Sequence, residues 1–424
     1  TIPTRPAAAD VAPAPAQVPG HVHLRWLAAA PHRAFFLAGA TALTVGALWW
    51  TLRLAARSGL APPIAAAVPD PWAHAWLMTF GVMPGFVFGF LLTVFPRWMN
   101  ATPIAAGTYV ALASGYGVAL GLAFAGLFLG LEVFALGAGV LAGTWAVAWL
   151  ALLNVLLRAE QPVEHAVLAA FALGLGLVSA AACAWGLYAL DGTVVHTALR
   201  AGLQACWLPL VYAVCHRMLP FFSQAALRGE ALPRPTWWLV TFTGAAYAYQ
   251  ALATYGRFEW LWLPSAGLAL VASLSFARWR PWAARGVPLL WTLHLAFAWL
   301  ALALWLQTAQ TAGFALTGEW HLGRAPLHAL AVGFFVALVV AMATRVTLGH
   351  SGRPLAMDAW TVRCFLLVQL AALLRIASEL LPGGTAPAEA LLVASAAAFL
   401  AGAAGWLFRY GPTYLRPRLD GRPG

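Results

Sequence analysis

Histidine is the side chain through which this chain could do chemistry. A neutral imidazole is a good ligand for haem iron or copper, and the sequence holds 11 of them. His74 and His328 each open a long apolar run that enters from the same side, so their rings fall at one depth. Two imidazoles from separate helices at a common level can hold a haem iron axially or share a copper ion. Met78, one turn after His74 at i+4, offers a soft thioether on the same helical face. His196 and His321 fall near that boundary as well. At the opposite boundary lie His216, His294 and His350, flanked by His32 and His165, and this makes a second candidate site. The plainer alternative stands beside both: histidine and methionine are comfortable at a membrane's polar edge without binding anything. Arg345 and Arg353 suit a haem propionate, because a planar guanidinium matches a carboxylate, although Arg353 also reads as a topology signal. Arg375 and Glu379, four apart within an apolar run, are positioned to neutralise each other.

The elements that must position these residues are membrane helices. Of 424 residues 62% are hydrophobic and only 9% charged, a composition that leaves lipid as the solvent for most of the chain. Runs of roughly 20 apolar residues, each long enough for a hydrocarbon layer about 30 Å thick, recur along it. Their limits predict spans over 34–54, 73–95, 104–127, 131–157, 163–190 and 195–214, then 237–255, 261–276, 287–306, 327–346, 362–381 and 388–408. The expected fold is all-α, a polytopic transmembrane bundle of about 12 spans. One transmembrane domain covers 31–411, between a flexible, Ala- and Pro-rich N-terminal tail over 1–30 and a basic C-terminal tail over 412–424. Placing both termini in the cytoplasm puts about 18 of the 24 basic residues, Arg228 among them, on the inner side, as short cytoplasmic loops require. All 24 are arginine and most stand singly between apolar runs, which argues against a nucleic-acid partner. The four cysteines lie in apolar segments without CxxC spacing, so neither a disulfide framework nor a zinc site is indicated.

The segment HALAVGFFVALVVAMATRVTLGHSGRP, running from His328 to Pro354, joins one candidate site to the other. Its glycines, Gly349 and Gly352, predict a break into a loop that presents His350, Ser351 and Arg353. This stretch resembles the signature of the NnrS family of bacterial membrane proteins. Three further stretches carry the likeness: PHRAFF from Pro31, HAWLMTFG with GFLLTVFPRW from His74 and Gly89, and CHRMLPFFS from Cys215. The resemblance implies a multi-pass protein of the bacterial inner membrane that contains haem, of the b type given the lack of a CxxCH attachment motif, together with copper. It also implies a role in nitric oxide metabolism, denitrification or resistance to nitrosative stress. If the protein is an enzyme, it is then an oxidoreductase acting on nitric oxide, with electrons from quinol or a donor protein. One departure concerns the metal. Trp76 and Leu77 stand where the family often has a second histidine and a glutamate, and His216 stands where many members have glycine. A metal site rebuilt from His216, His294 and His350 at the inner face is the resulting expectation.

A 12-span secondary transporter without a redox cofactor is the alternative, because that span count and orientation also suit transporters. Paired mid-membrane carboxylates, which proton coupling would call for, are missing from the sequence. An assembly or sensing partner with no cofactor of its own is a third reading.

Overall fold

The computed structural model describes residues 21–227 and 231–421. Among them every regular element is helical, and 11 helices are long and apolar enough to cross a membrane. In chain order these are α1 (Pro31–Arg57), α2 (Asp70–Trp98), α3 (Ala106–Leu129), α4 (Leu131–Leu157), α5 (Glu164–Tyr188) and α6 (Gly192–Leu227). After α7 come α8 (Phe258–Arg278), α9 (Pro288–Thr317), α10 (Ala325–His350), α11 (Ala359–Glu379) and α12 (Ala386–Tyr414). The intervening α7 (Thr236–Thr254) has 19 residues but spends several on Thr, Tyr and Gln, which lowers its apolarity. Eleven of the 12 predicted spans fall in order on these 11 helices, and the remaining one, over 237–255, falls on α7.

Three helices form the centre. Within their most apolar stretch α2, α6 and α10 are 78%, 83% and 72% buried, whereas none of the other eight candidate spans exceeds 61%. The remaining nine surround them, and α1 packs on both α2 and α12. Close approach comes from small residues, which let helix backbones pack where lipid supplies no hydrophobic drive. At the α1–α2 crossing Gly39 faces Gly85.

The chain's two ends meet at one end of the bundle, where a short 3-10 helix (Leu24–Ala29) precedes α1. The His23 amide donates to the Leu415 carbonyl at 2.9 Å. Arg33, only 2% exposed, donates from one nitrogen to the carbonyls of Trp26, Tyr414 and Arg416. The Leu419 amide donates to Ser351 at the end of α10. Of the tails read from the sequence, residues 1–20 and 422–424 lie outside the described residues, as does Arg228.

Two expected boundaries are corrected. α6 was predicted to close at 214, with His216 at its mouth, but the helix continues to Leu227 through Pro220. Phe222 and Ser223 are buried by that continuation. Likewise α10 does not break at Gly349: His350 is its last residue, and the turn is made at Gly352, whose φ of +70° is cheap only for glycine.

Candidate functional site

The three central helices share a local irregularity. Each passes through a π-helical stretch: Leu77–Val82 in α2, Gly202–Trp207 in α6 and Ala329–Val336 in α10. Widening the turn to i→i+5 disturbs the regular bonding of backbone carbonyls and re-aims side chains, and such turns gather at functional sites. Aromatic donors meet carbonyls here. Tyr116 Oη of α3 donates to Gly81 at 2.5 Å, and Trp207 Nε1 of α6 donates to Thr79 at 2.8 Å. His74 lies three residues before the first stretch and His328 immediately before the third. Replacing Tyr116 with phenylalanine is expected to leave the buried Gly81 carbonyl without this donor, at a cost of about 1–3 kcal/mol. A thermal midpoint equal to that of the parent protein would exclude this bracing role.

His74 and His328 make no direct contact with each other among the described residues. The two rings are within electrostatic reach, in a region that Arg324 and Arg375 also influence. His74 stacks on the indole of Trp50 in α1, with centroids 4.1 Å apart and planes 16° from parallel, and its Nδ1 is buried with no hydrogen-bond partner. His328 Nδ1 donates to the Arg324 carbonyl at 3.0 Å. That bond fixes the neutral tautomer and leaves the Nε2 lone pair for a ligand, the way histidine is commonly oriented at metal centres. Met78 sits one turn below His74, and its methyl packs where α1 has only Gly46. Arg375 and Glu379 form the ion pair expected from their spacing, and Glu379 also accepts the Arg324 amide at 2.9 Å.

The other predicted ligands do not assemble as a trio. His216, fully buried, pairs with His165 of α5, Nδ1 to Nε2 at 3.0 Å, among Tyr212, Trp238 and Trp279. His294 Nε2 bonds Ser223 Oγ at 3.0 Å, while its Nδ1 is buried without a partner. His350 lies against His32, with ring centroids 4.7 Å apart. The inner metal site expected from His216, His294 and His350 is therefore corrected: each imidazole is claimed by a different neighbour. Nor do Arg345 and Arg353 flank the His74–His328 pair. Seventeen residues of helix separate His328 from Arg345, roughly 25 Å at 1.5 Å per residue, and the Arg345 guanidinium sits 4.0 Å from the centre of the Phe222 ring.

The donor chemistry of His74 and His328 suits haem iron, which these two imidazoles would hold. Their rings come from two central helices, one has a buried nitrogen with no partner and the other a tautomer already fixed. Copper fares differently. Among the described residues no three His, Cys, Asp or Glu side chains converge into a metal-holding group. Sequence reasoning missed the roles of Trp50, Tyr116 and Trp207, at which only the aromatic richness of the chain hinted, and placed His165 at the inner boundary without its partner His216.

Compared with known families, the chain matches the model described as NnrS protein over residues 26–418. No curated protein matches.

Proposed function

The chain belongs to the NnrS family, and on that premise we propose that it binds haem b between His74 and His328 and acts in nitric oxide metabolism at the bacterial cytoplasmic membrane. The observation that supports this reading is the pair of imidazoles at the starts of α2 and α10, within electrostatic reach of each other, one with an unpartnered buried nitrogen and the other with its tautomer set by the Arg324 carbonyl. A haem held there could bind a small diatomic gas that partitions readily into lipid, provided one of the two imidazoles gives way. The chain's own residues hold and orient the ligands. Trp50 covers one face of His74 and limits its rotation. The Arg324 carbonyl keeps the His328 ring turned, and Arg324 and Arg375 near the pair would suit the propionates of a haem held there. Glu379 anchors both Arg375 and the Arg324 backbone, so that charge is held in place.

Electrons for any turnover come from quinol or a membrane donor protein. The arginine distribution favours both termini in the cytoplasm, which puts the haem ligands towards the opposite face. No copper step is proposed, since the described residues supply no three-ligand set. The transporter reading loses ground, because the intramembrane carboxylate Glu379 is committed to Arg375.

An absorption spectrum of the detergent-purified protein, with metal analysis, tests the proposal. A Soret band with resolved α and β bands after reduction, and a shift of that band on adding nitric oxide, are expected. A featureless visible spectrum from protein produced with ample haem, together with the absence of iron, would refute it.

A further inference from the structure

At the end of the bundle where the termini meet, a second cluster of polar groups is used by none of the steps above. His32, at the start of α1, is 2% exposed, and its Nδ1 is buried with no hydrogen-bond partner. It lies against His350 at the end of α10. Four guanidiniums act on this pair or on each other: Arg97 from the end of α2, Arg33, Arg353 and Arg418. Arg33 is occupied by three carbonyls, and Arg418 by Asp420, at 2.8 and 2.6 Å. Arg97 is exposed, and Arg353 Nη1 is buried without a partner. Arg409 and Arg416 add further positive charge beside Arg353, and Asp358 offsets only Arg409, at 2.8 Å.

Clustered cations raise one another's energy, and burial raises it further unless an anion joins them. Here the positive groups outnumber the carboxylates that touch them, and two donors, His32 Nδ1 and Arg353 Nη1, are buried and unspent. The cluster also occupies the ends of three membrane helices, and basic pockets between helices near a membrane surface hold phosphate-bearing lipids. We propose that His32, Arg97, His350 and Arg353 form a binding site for a phosphate group, carried by an anionic phospholipid or free in solution. A planar guanidinium fork suits tetrahedral phosphate oxygens, and a buried imidazole adds a single donor at the base. The site stands apart from the proposed haem ligands, at the opposite end of α10, and does not depend on them.

The test uses the full-length protein in mixed micelles, with its thermal midpoint followed by tryptophan fluorescence. Titration with phosphatidylglycerol is compared with phosphatidylcholine and with inorganic phosphate. A saturable rise with phosphatidylglycerol alone assigns the site to a lipid headgroup, and a rise with inorganic phosphate assigns it to the free anion. The double variant Arg97→Gln/Arg353→Gln is expected to weaken binding roughly thirtyfold, at about 1 kcal/mol for each charge removed near a membrane surface. Arg97→Gln alone, at an exposed position, should weaken it about fivefold. Arg158→Gln, an exposed arginine at the end of α4 that removes the same charge, should leave binding unchanged. No stabilisation by any phosphate probe, or equal weakening by Arg158→Gln and Arg97→Gln, overturns the proposal.

Discussion

Replacing His328 with alanine is expected to abolish or restructure the Soret band while the protein still inserts and folds. The side chain is half-buried, and its one hydrogen bond, to the Arg324 carbonyl, lies within its own helix. Its loss should therefore cost little of the bundle's packing, whereas an axial ligand has no substitute among its neighbours: Arg324 and Arg375 are cations and cannot bind iron. Adding imidazole to the purified variant should restore part of the spectrum, because the space vacated by the ring is the shape of the added ligand. His350→Ala supplies the control. That residue ends the same helix, about 33 Å away along its axis at 1.5 Å per residue, and its variant should keep the parent spectrum. If His328→Ala has an unaltered spectrum, or His350→Ala loses the band instead, the ligand assignment fails.

The contrast between these two histidines also measures what the sequence could convey. Depth was legible, because apolar run length fixes where a residue falls along a membrane helix. His74 and His328 were placed at one boundary on that ground alone, and the structure leaves them within electrostatic reach of each other. Lateral position was not legible. His216, His294 and His350 share the other boundary, yet they lie on α6, α9 and α10 and find three separate partners in His165, Ser223 and His32. Hydropathy carries no information about which faces of which helices meet.

Span limits follow the same rule. α4 was predicted over 131–157 and is observed as Leu131–Leu157, because charged or glycine punctuation marks both its ends. α6 and α9 were predicted too short, each at a place where polar residues look like an end. In α6 those residues are His216 and Arg217, satisfied by His165 and by the ring of Trp98, 5.1 Å from the guanidinium. In α9 the residue is Gln307, which bonds Gln204 and Ser265. A polar residue with a tertiary partner does not end a membrane helix, and the partner is invisible in the local sequence. The π-helical stretches were equally hidden, since ordinary apolar residues form them and their anchors, Tyr116 and Trp207, come from other helices.

One of those anchors, Tyr116, also bears on the close α1–α2 crossing. A Cβ on Gly85 would stand 2.6 Å from the Gly39 Cα and 2.7 Å from Tyr116 Oη. Backbone cannot yield at the first contact, and at the second the displaced atom is the one that braces Gly81 in the π-helical stretch after His74. Gly85→Leu should therefore force α1 away from α2 and release the bond from Tyr116, so that overpacking adds to a lost hydrogen bond. The expected destabilisation is about 3 kcal/mol or more. Because Trp50 stacks on His74 across the same pair of helices, haem retention should fall together with the thermal midpoint. Gly107→Leu is the matched control, for its Cβ would meet nothing within 4 Å. Should Gly85→Leu melt at the temperature of Gly107→Leu with its haem intact, the close α1–α2 crossing does not position His74, and the link drawn between helix packing and ligand geometry is wrong.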